Sequence, residues 1–176
     1  NVLSFELVMA DGQLLKASAV ENPDLFWGLR GGGGNFGVVT ALEDQLHPLS
    51  QVLAGVVIHP LAKAKDVLRF YHEFSCAVPD EVTVYAVLST VPDVGPAVIL
   101  LGGYFGDDLA QGEQLLAPLR QFGSPLVDLI QPQPYPDFLS ILDLMTPDGH
   151  NYYEPAYSIK QFNDEAFDTL ITWASR

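Results

Sequence analysis

The chain has 176 residues, is 48% hydrophobic, and carries 22 acidic against 8 basic residues for a formal net charge of −14. That length and apolar content can bury a substantial core, enough for one globular domain or one and a fraction, while the negative surface repels phosphate backbones and anionic headgroups, so nucleic acid is not an expected partner. Cys76 is the one cysteine, which rules out an internal disulfide; no Cys/His spacing resembles a zinc site, and no apolar run reaches the roughly 20 residues of a membrane span.

In the plainer reading the acidity only keeps the protein in solution. A single thiol fits a reducing compartment and no charged segment opens the chain, so the expected location is cytoplasmic, away from membranes.

Residues 2 to 10 alternate as a strand, Asp11-Gly12 is a two-residue hairpin signal, and residues 13 to 18 return as the partner strand. A strand that opens a chain without Met needs a partner from elsewhere, so the chain is expected to begin partway through a longer protein. The uncapped helical pattern over residues 167 to 176 suggests the same at the other end. Glu21-Asn22-Pro23-Asp24 reads as a helix start, with Leu25, Phe26, Trp27 and Leu29 as its body. Phe26 and Trp27 are expected to fasten this helix to the sheet, and the run from Gly31 to Gly34 ends it. The β-branched and aromatic segment from Phe36 to Leu46 is a strand, stopped by His47-Pro48. A domain boundary is placed near residues 48 to 51.

A regular series follows: strand 52–59, helix 62–74, strands 82–90 and 97–104, helix 109–122 and strand 126–131. The order βαββαβ is that of a ferredoxin-like unit, an antiparallel sheet with helices on one face, and the fold class is α+β. Phe70, Tyr71 and Phe74 have helical spacing and read as core, and Pro118 is expected to kink or shorten its helix. The alternate prolines of residues 131 to 136 mark an edge or crossover segment rather than a linker. A short helix 137–144, a loop at Pro147-Asp148-Gly149, a tyrosine-bearing strand 152–159 and a helix from Asp164 complete the chain.

Gly32, Gly34 and Gly37 form a G-x-G-x-x-G match, but here a helix precedes the glycines and a strand follows them. The dinucleotide fingerprint needs the reverse, with the helix N-terminus receiving the pyrophosphate, so a nicotinamide site is not expected. Adjacent glycines do free the backbone to take positive φ and to approach a ligand with no Cβ in the way. A tight helix-to-strand turn without a ligand explains the same residues equally well.

Residues 22 to 40, Asn22-Pro23-Asp24-Leu25-Phe26-Trp27-Gly28-Leu29-Arg30-Gly31-Gly32-Gly33-Gly34-Asn35-Phe36-Gly37-Val38-Val39-Thr40, resemble the glycine signature of FAD-linked oxidases of the vanillyl-alcohol-oxidase type, in particular the berberine-bridge-enzyme-like branch. Asn1-Val2-Leu3-Ser4 with Ala10-Asp11-Gly12 is similar to the hairpin that precedes that signature. Leu115 to Arg120 and Tyr152-Tyr153 are more loosely similar to the family's substrate domain. The resemblance implies that residues 1–50 are the end of an FAD-binding domain and residues 51–176 a substrate-binding domain. It implies that the stretch Gly33, Gly34, Asn35, Phe36, Gly37, Val38 and Val39 approaches FAD mostly through backbone atoms, with Phe36 and Val38 packing beneath it. Arg30 reads either as an anion contact or, preferably, as the C-terminal cap of its helix.

In that family a hydride passes from a substrate carbon to flavin N5, O2 commonly reoxidises the flavin, and a tyrosine or carboxylate takes the substrate's proton. Tyr152, Tyr153, Glu154 and Tyr157 are the candidates; alternation puts Tyr153 and Tyr157 on one face of their strand, and these two are the assigned catalytic residues. The family's pyrophosphate loop and its flavin-linking His and Cys lie upstream of the signature, and His47, His59, His72, His150 and Cys76 match none of those positions. The fragment alone is therefore expected to hold FAD weakly and to be inactive. Its expected partners are a small organic substrate, an alcohol, sugar or secondary metabolite, and the rest of its own polypeptide, with strand edges left able to pair between copies. A reading of another class stays open at this point: a ferredoxin-like binding or oligomerisation module without flavin.

Overall fold

The computed structural model describes residues 1–49, 51–141, 143, 149, 151, 156, 158–159 and 161–175. They fall into two compact units, residues 1–48 and 49–176. No helix among the described residues is long and apolar enough to cross a membrane.

The first unit is a three-stranded antiparallel sheet in the order β2-β1-β3, built from β1 (Val2–Val8), β2 (Leu14–Ser18) and β3 (Val38–Asp44). The hairpin expected at Asp11-Gly12 forms, but with three loop residues rather than two. Met9 and Gln13 close it (Met9 N to Gln13 O, 2.9 Å), and Gly12 takes φ +84° after its amide donates to Met9 O. That left-handed position after a turn is what the glycine supplies.

Helix α1 (Pro23–Leu29) starts with proline in its first turn, where a missing N–H costs nothing. Asn22 precedes it in a left-handed conformation, and its side-chain amide donates to Lys16 O at 2.7 Å. Phe5, Leu7, Ala17 and Phe26 are the buried core of this unit, with Phe5 and Phe26 in ring contact. Phe26 thus fastens the helix as expected. Trp27 does not: it is 75% exposed on the outer side of α1, because only one face of so short a helix can reach the sheet. All seven residues of β3 are exposed, and Thr40 is an extra residue in its pairing with β1, between Leu7–Val39 and Glu6–Ala41.

The second unit is the expected βαββαβ arrangement. Strands β4 (Gln51–Pro60), β5 (Val82–Val91) and β6 (Gly95–Tyr104) form an antiparallel sheet in the order β5-β6-β4, and β4's other edge is paired by β7 (Val127–Asp128) and β8 (Gln131–Pro134). The expected single strand 126–131 is therefore two short pieces on one edge. The break has a local cause: the Asp128 carboxylate accepts the Ile130 amide at 3.0 Å, turning the chain and burying Ile130. Pro132 and Pro134 sit in the edge piece, where no N–H is required on the outer side.

Helices α2 (Ala64–Ala77) and α3 (Leu109–Gln121) pack with β4, β5 and β6 around Leu53, Val57, Val67, Leu68, Val84, Leu100, Leu116 and Leu119. Asp108 caps α3 by accepting from Ala110 and Gln111 amides. Pro118 does not shorten α3, which runs on to Gln121 and closes its end with Phe122 N to Pro118 O at 3.0 Å; proline this late removes one bond without stopping the turn. Helix α4 (Tyr135–Leu139) begins two residues earlier than expected and ends sooner, and α5 (Asp164–Ala174) is capped by Asn163. Phe167 of α5 joins the helix-side core, and exposed pairs from Asp164 and Asp168 to Arg69 and Lys65 line the contact of α5 with α2. Such exposed pairs steer orientation more than they stabilise.

Candidate ligand-binding loop and sheet face

Of the five glycines in the loop between α1 and β3, Gly32, Gly33, Gly34 and Gly37 do different work. The Arg30 amide closes the end of α1 on Trp27 O and the Gly32 amide continues on Gly28 O at 2.9 Å, after which Gly33–Asn35 make one 3-10 turn. At Gly32 a Cβ would stand 2.3 Å from Gly28 O and 2.6 Å from the Phe36 ring; at Gly37, where φ is +150°, it would stand 2.5 Å from Val8 O. Neither distance is tolerable, so these two glycines are required by the chain's own packing.

Gly33 and Gly34 are different. Nothing lies within 4 Å of where their Cβ atoms would be, and Gly34 has an ordinary φ of −77° that any residue adopts. At Gly33 the backbone itself favours glycine, because φ is +69°; at Gly34 the fold does not need a bare backbone. A glycine without a packing or conformational reason, on an exposed turn between two constrained glycines, is what a close-fitting ligand demands.

Among the residues expected to approach a cofactor, Gly33, Gly34, Asn35, Val38 and Val39 are exposed on this loop and the start of β3, with Val38 69% exposed. The side-chain amide of Asn35 donates to Gly32 O at 2.9 Å, so it braces the turn. Phe36 is half-buried and packs with the core around Phe5, Leu7 and Phe26. Arg30 sits at the C-terminal end of α1, as the cap reading has it, and its guanidinium lies over the Phe26 ring at 4.4 Å. Tyr153 and Tyr157, with Tyr152 and Glu154, lie outside the described residues.

The second unit presents the sheet face opposite α2 and α3. Val82, Val84, Ala86 and Leu88 of β5 face the helices, so the alternation turns Thr83 and Tyr85 the other way. Tyr85 is 59% exposed there and shares a groove with Asp80, Thr83, Phe105, Tyr135 and Phe138. Sequence reading passed over Tyr85, although the alternation of residues 82 to 88 already marks an exposed tyrosine on a strand. His59, which matches no flavin-linking position in the sequence, is fully buried beside Phe122, and neither ring nitrogen has a hydrogen-bond partner among the described residues. Burial first, and the nearby Lys63 charge second, hold its pKa below the usual imidazole value.

No protein-family model matches the chain. It is 30% identical over 163 residues to an FAD-linked oxidoreductase of Dictyostelium discoideum, covering 92% of this chain and 35% of that protein. Among solved structures, 6-hydroxy-D-nicotine oxidase of Arthrobacter nicotinovorans superposes with a TM-score of 0.70 at 28% identity, over 86% of this chain and 34% of that one. A BBE-like protein of Physcomitrella patens shares the fold with a TM-score of 0.66 at 22% identity, over 86% and 32%. The chain spans about a third of the length of the proteins it matches.

Proposed function

We propose that this chain, similar over most of its length to FAD-linked oxidoreductases, is part of such an enzyme of the vanillyl-alcohol-oxidase and berberine-bridge-enzyme-like type, and that residues 33–39 supply part of its flavin site. The supporting observation is Gly34, whose φ of −77° any residue adopts and where no described atom lies within 4 Å of a Cβ, so that neither backbone conformation nor packing among the described residues asks for glycine. The main chain of Gly33, Gly34, Asn35 and Gly37 would hold the cofactor, with Val38 and Val39 giving apolar contact where β3 begins. Phe36 contributes from beneath, through the core of the first unit.

Bound FAD would supply a hydride acceptor at N5, with O2 as the final acceptor. The full-length protein is then an oxidoreductase acting on a small organic substrate, an alcohol, sugar or secondary metabolite. The face carrying Tyr85, Phe105 and Tyr135 gives flat apolar surface that excludes water and orients such a molecule, while Thr83 and Asp80 offer polar contacts. Tyr153 or Tyr157 takes the substrate's proton. Residues 1–176 alone hold FAD weakly and do not turn over.

Gly34→Val in the full-length polypeptide is the direct test, since a φ of −77° suits a side chain and no described atom lies within 4 Å of a Cβ there. Retained flavin, read from absorbance after gel filtration, is expected to fall by at least about tenfold, equivalent to about 1.4 kcal/mol, with the melting temperature of the flavin-free protein unchanged. Flavin retention equal to the parent would overturn the reading. For the base, Tyr153→Phe and Tyr157→Phe are compared by rapid mixing: one of them is expected to slow flavin reduction by about 10²-fold or more, and equal rates in both would remove the assignment.

A further inference from the structure

Phe36 controls the shape of the glycine loop, and we propose that it is a positioning residue for the flavin, its ring seated in a slot left by Gly28 and Gly32 so that the main chain of Gly33–Asn35 is ordered before the cofactor arrives. The inference rests on the flavin reading of the loop.

Residues 28 and 32 are four apart on one side of the chain leaving α1, joined by Gly32 N to Gly28 O at 2.9 Å. A Cβ at residue 28 would have the Phe36 ring as its three nearest atoms, Cζ at 2.9 Å, Cε1 at 3.2 Å and Cε2 at 3.4 Å; at residue 32 the ring's Cε2 would be 2.6 Å away. The ring thus occupies the volume of two missing side chains. At the next residue Gly37 is pressed against Val8 O of β1, where a Cβ would stand at 2.5 Å. Residue 36 is therefore held by its ring and by its neighbour, and Asn35 Nδ2 to Gly32 O at 2.9 Å closes the span between.

Stability alone does not account for this choice. Gly28 lies in the body of α1, where glycine is a poor helix former, and alanine at 28 with a smaller residue at 36 fills the same volume with a better helix. A large ring in a glycine slot instead gives the loop a stiff anchor. Two consecutive glycines are costly to order, and a loop ordered in advance does not charge that cost to binding.

The test is a double-mutant cycle in the full-length polypeptide with Gly28→Ala and Phe36→Leu, reading FAD affinity by fluorescence titration, the midpoint potential of the bound flavin, and amide exchange of residues 33–35 in the flavin-free protein. Gly28→Ala collides with the ring and is expected to weaken FAD about tenfold, speed exchange in the loop and shift the potential. The double variant, in which the new methyl replaces the lost ring volume, is expected to regain the melting temperature of the parent yet to stay several-fold weaker for FAD with fast exchange in the loop, because the stiff ring is gone. Affinity unchanged in Gly28→Ala, or parental affinity and exchange in the double variant, overturns the proposal. Should Gly28→Ala fail to fold, Phe36→Leu alone decides it: faster exchange in residues 33–35 with several-fold weaker FAD sustains the proposal, and parental exchange and affinity overturn it. If Gly34→Val also leaves flavin binding untouched, the cofactor reading itself has failed; if Gly34→Val loses flavin while the cycle moves nothing, only the role of Phe36 has.

Discussion

The two units are built on opposite terms. Among the described residues, fifteen buried apolar side chains form one core between helices and sheet in residues 49–176, whereas the apolar core of residues 1–48 has four and every residue of β3 is exposed. Yet the thin unit carries the long glycine signature, and the thick one reads mainly as packing. The contrast teaches that the first unit is not built for packing alone: it accepts a glycine inside α1, a bare glycine at 34 that its backbone does not require, and exposed Val38 and Val39, none of which improves its own core.

The largest effect that sharpens this contrast is expected in the second unit. Leu100 is fully buried among Val57, Val98 and Leu116, so Leu100→Ala should cost about 2–5 kcal/mol by the methylenes lost and the cavity left, seen as a lower denaturant midpoint. A loss near zero would mean that this core is not the close-packed one described.

Next comes Gly37→Ala in the first unit. Its Cβ meets the Val8 carbonyl of the central strand and its φ is +150°, so about 2 kcal/mol is expected, with the melting temperature falling even when no flavin is present. Placed beside Gly34→Val, which should lose flavin and keep stability, it separates the glycines that serve the fold from those that serve the ligand. Both variants lowering stability alike would erase the distinction.

The smallest effect is a pH dependence confined to the second unit. His59 is buried with its folded pKa below about 6.5, so the unfolded chain binds its proton more readily. Its contribution is fully present above that value and is lost as pH falls below it, at about 1.4 kcal/mol per pH unit until the folded pKa is reached. Lys63 is the charged neighbour that reaches it; Phe122 of the segment after α3 and Val98 of β6 face it without charge, and Asp128 of the neighbouring strand is paired with Arg120. His59→Leu should flatten the acid limb of stability measured by urea unfolding between pH 7 and 5, and an unchanged limb would show that His59 does not titrate there.

Much of this was legible in the residues. Period-2 and period-3.6 patterns located β4, α2, β5, β6 and α3 to within a few residues, and the order βαββαβ followed because an antiparallel sheet with helices on one face is the compact way to bury those stripes. The inverted helix-then-strand context of the glycines separated them from a nicotinamide fingerprint before any coordinates. Less legible were features that depend on distant partners. Trp27 looked like an anchor because it is large and apolar, but it is three-quarters exposed on the outer side of α1. His59 looked ordinary because burial of a polar ring under Phe122 is set by how α3 ends, some sixty residues later.

By itself, then, the amino-acid sequence determined the elements, the class of fold and the resemblance to FAD-linked oxidases, since these rest on local periodicity and on a contiguous run of residues whose spacing is visible along the chain. Only the tertiary structure decided which glycine does what: that Gly32 and Gly37 are demanded by Gly28 O, Phe36 and Val8 O, while Gly33 and Gly34 face open space. The reason is steric. A missing side chain looks the same at every glycine in the sequence, and only the atoms that would surround a Cβ show whether the fold or a ligand forbids it.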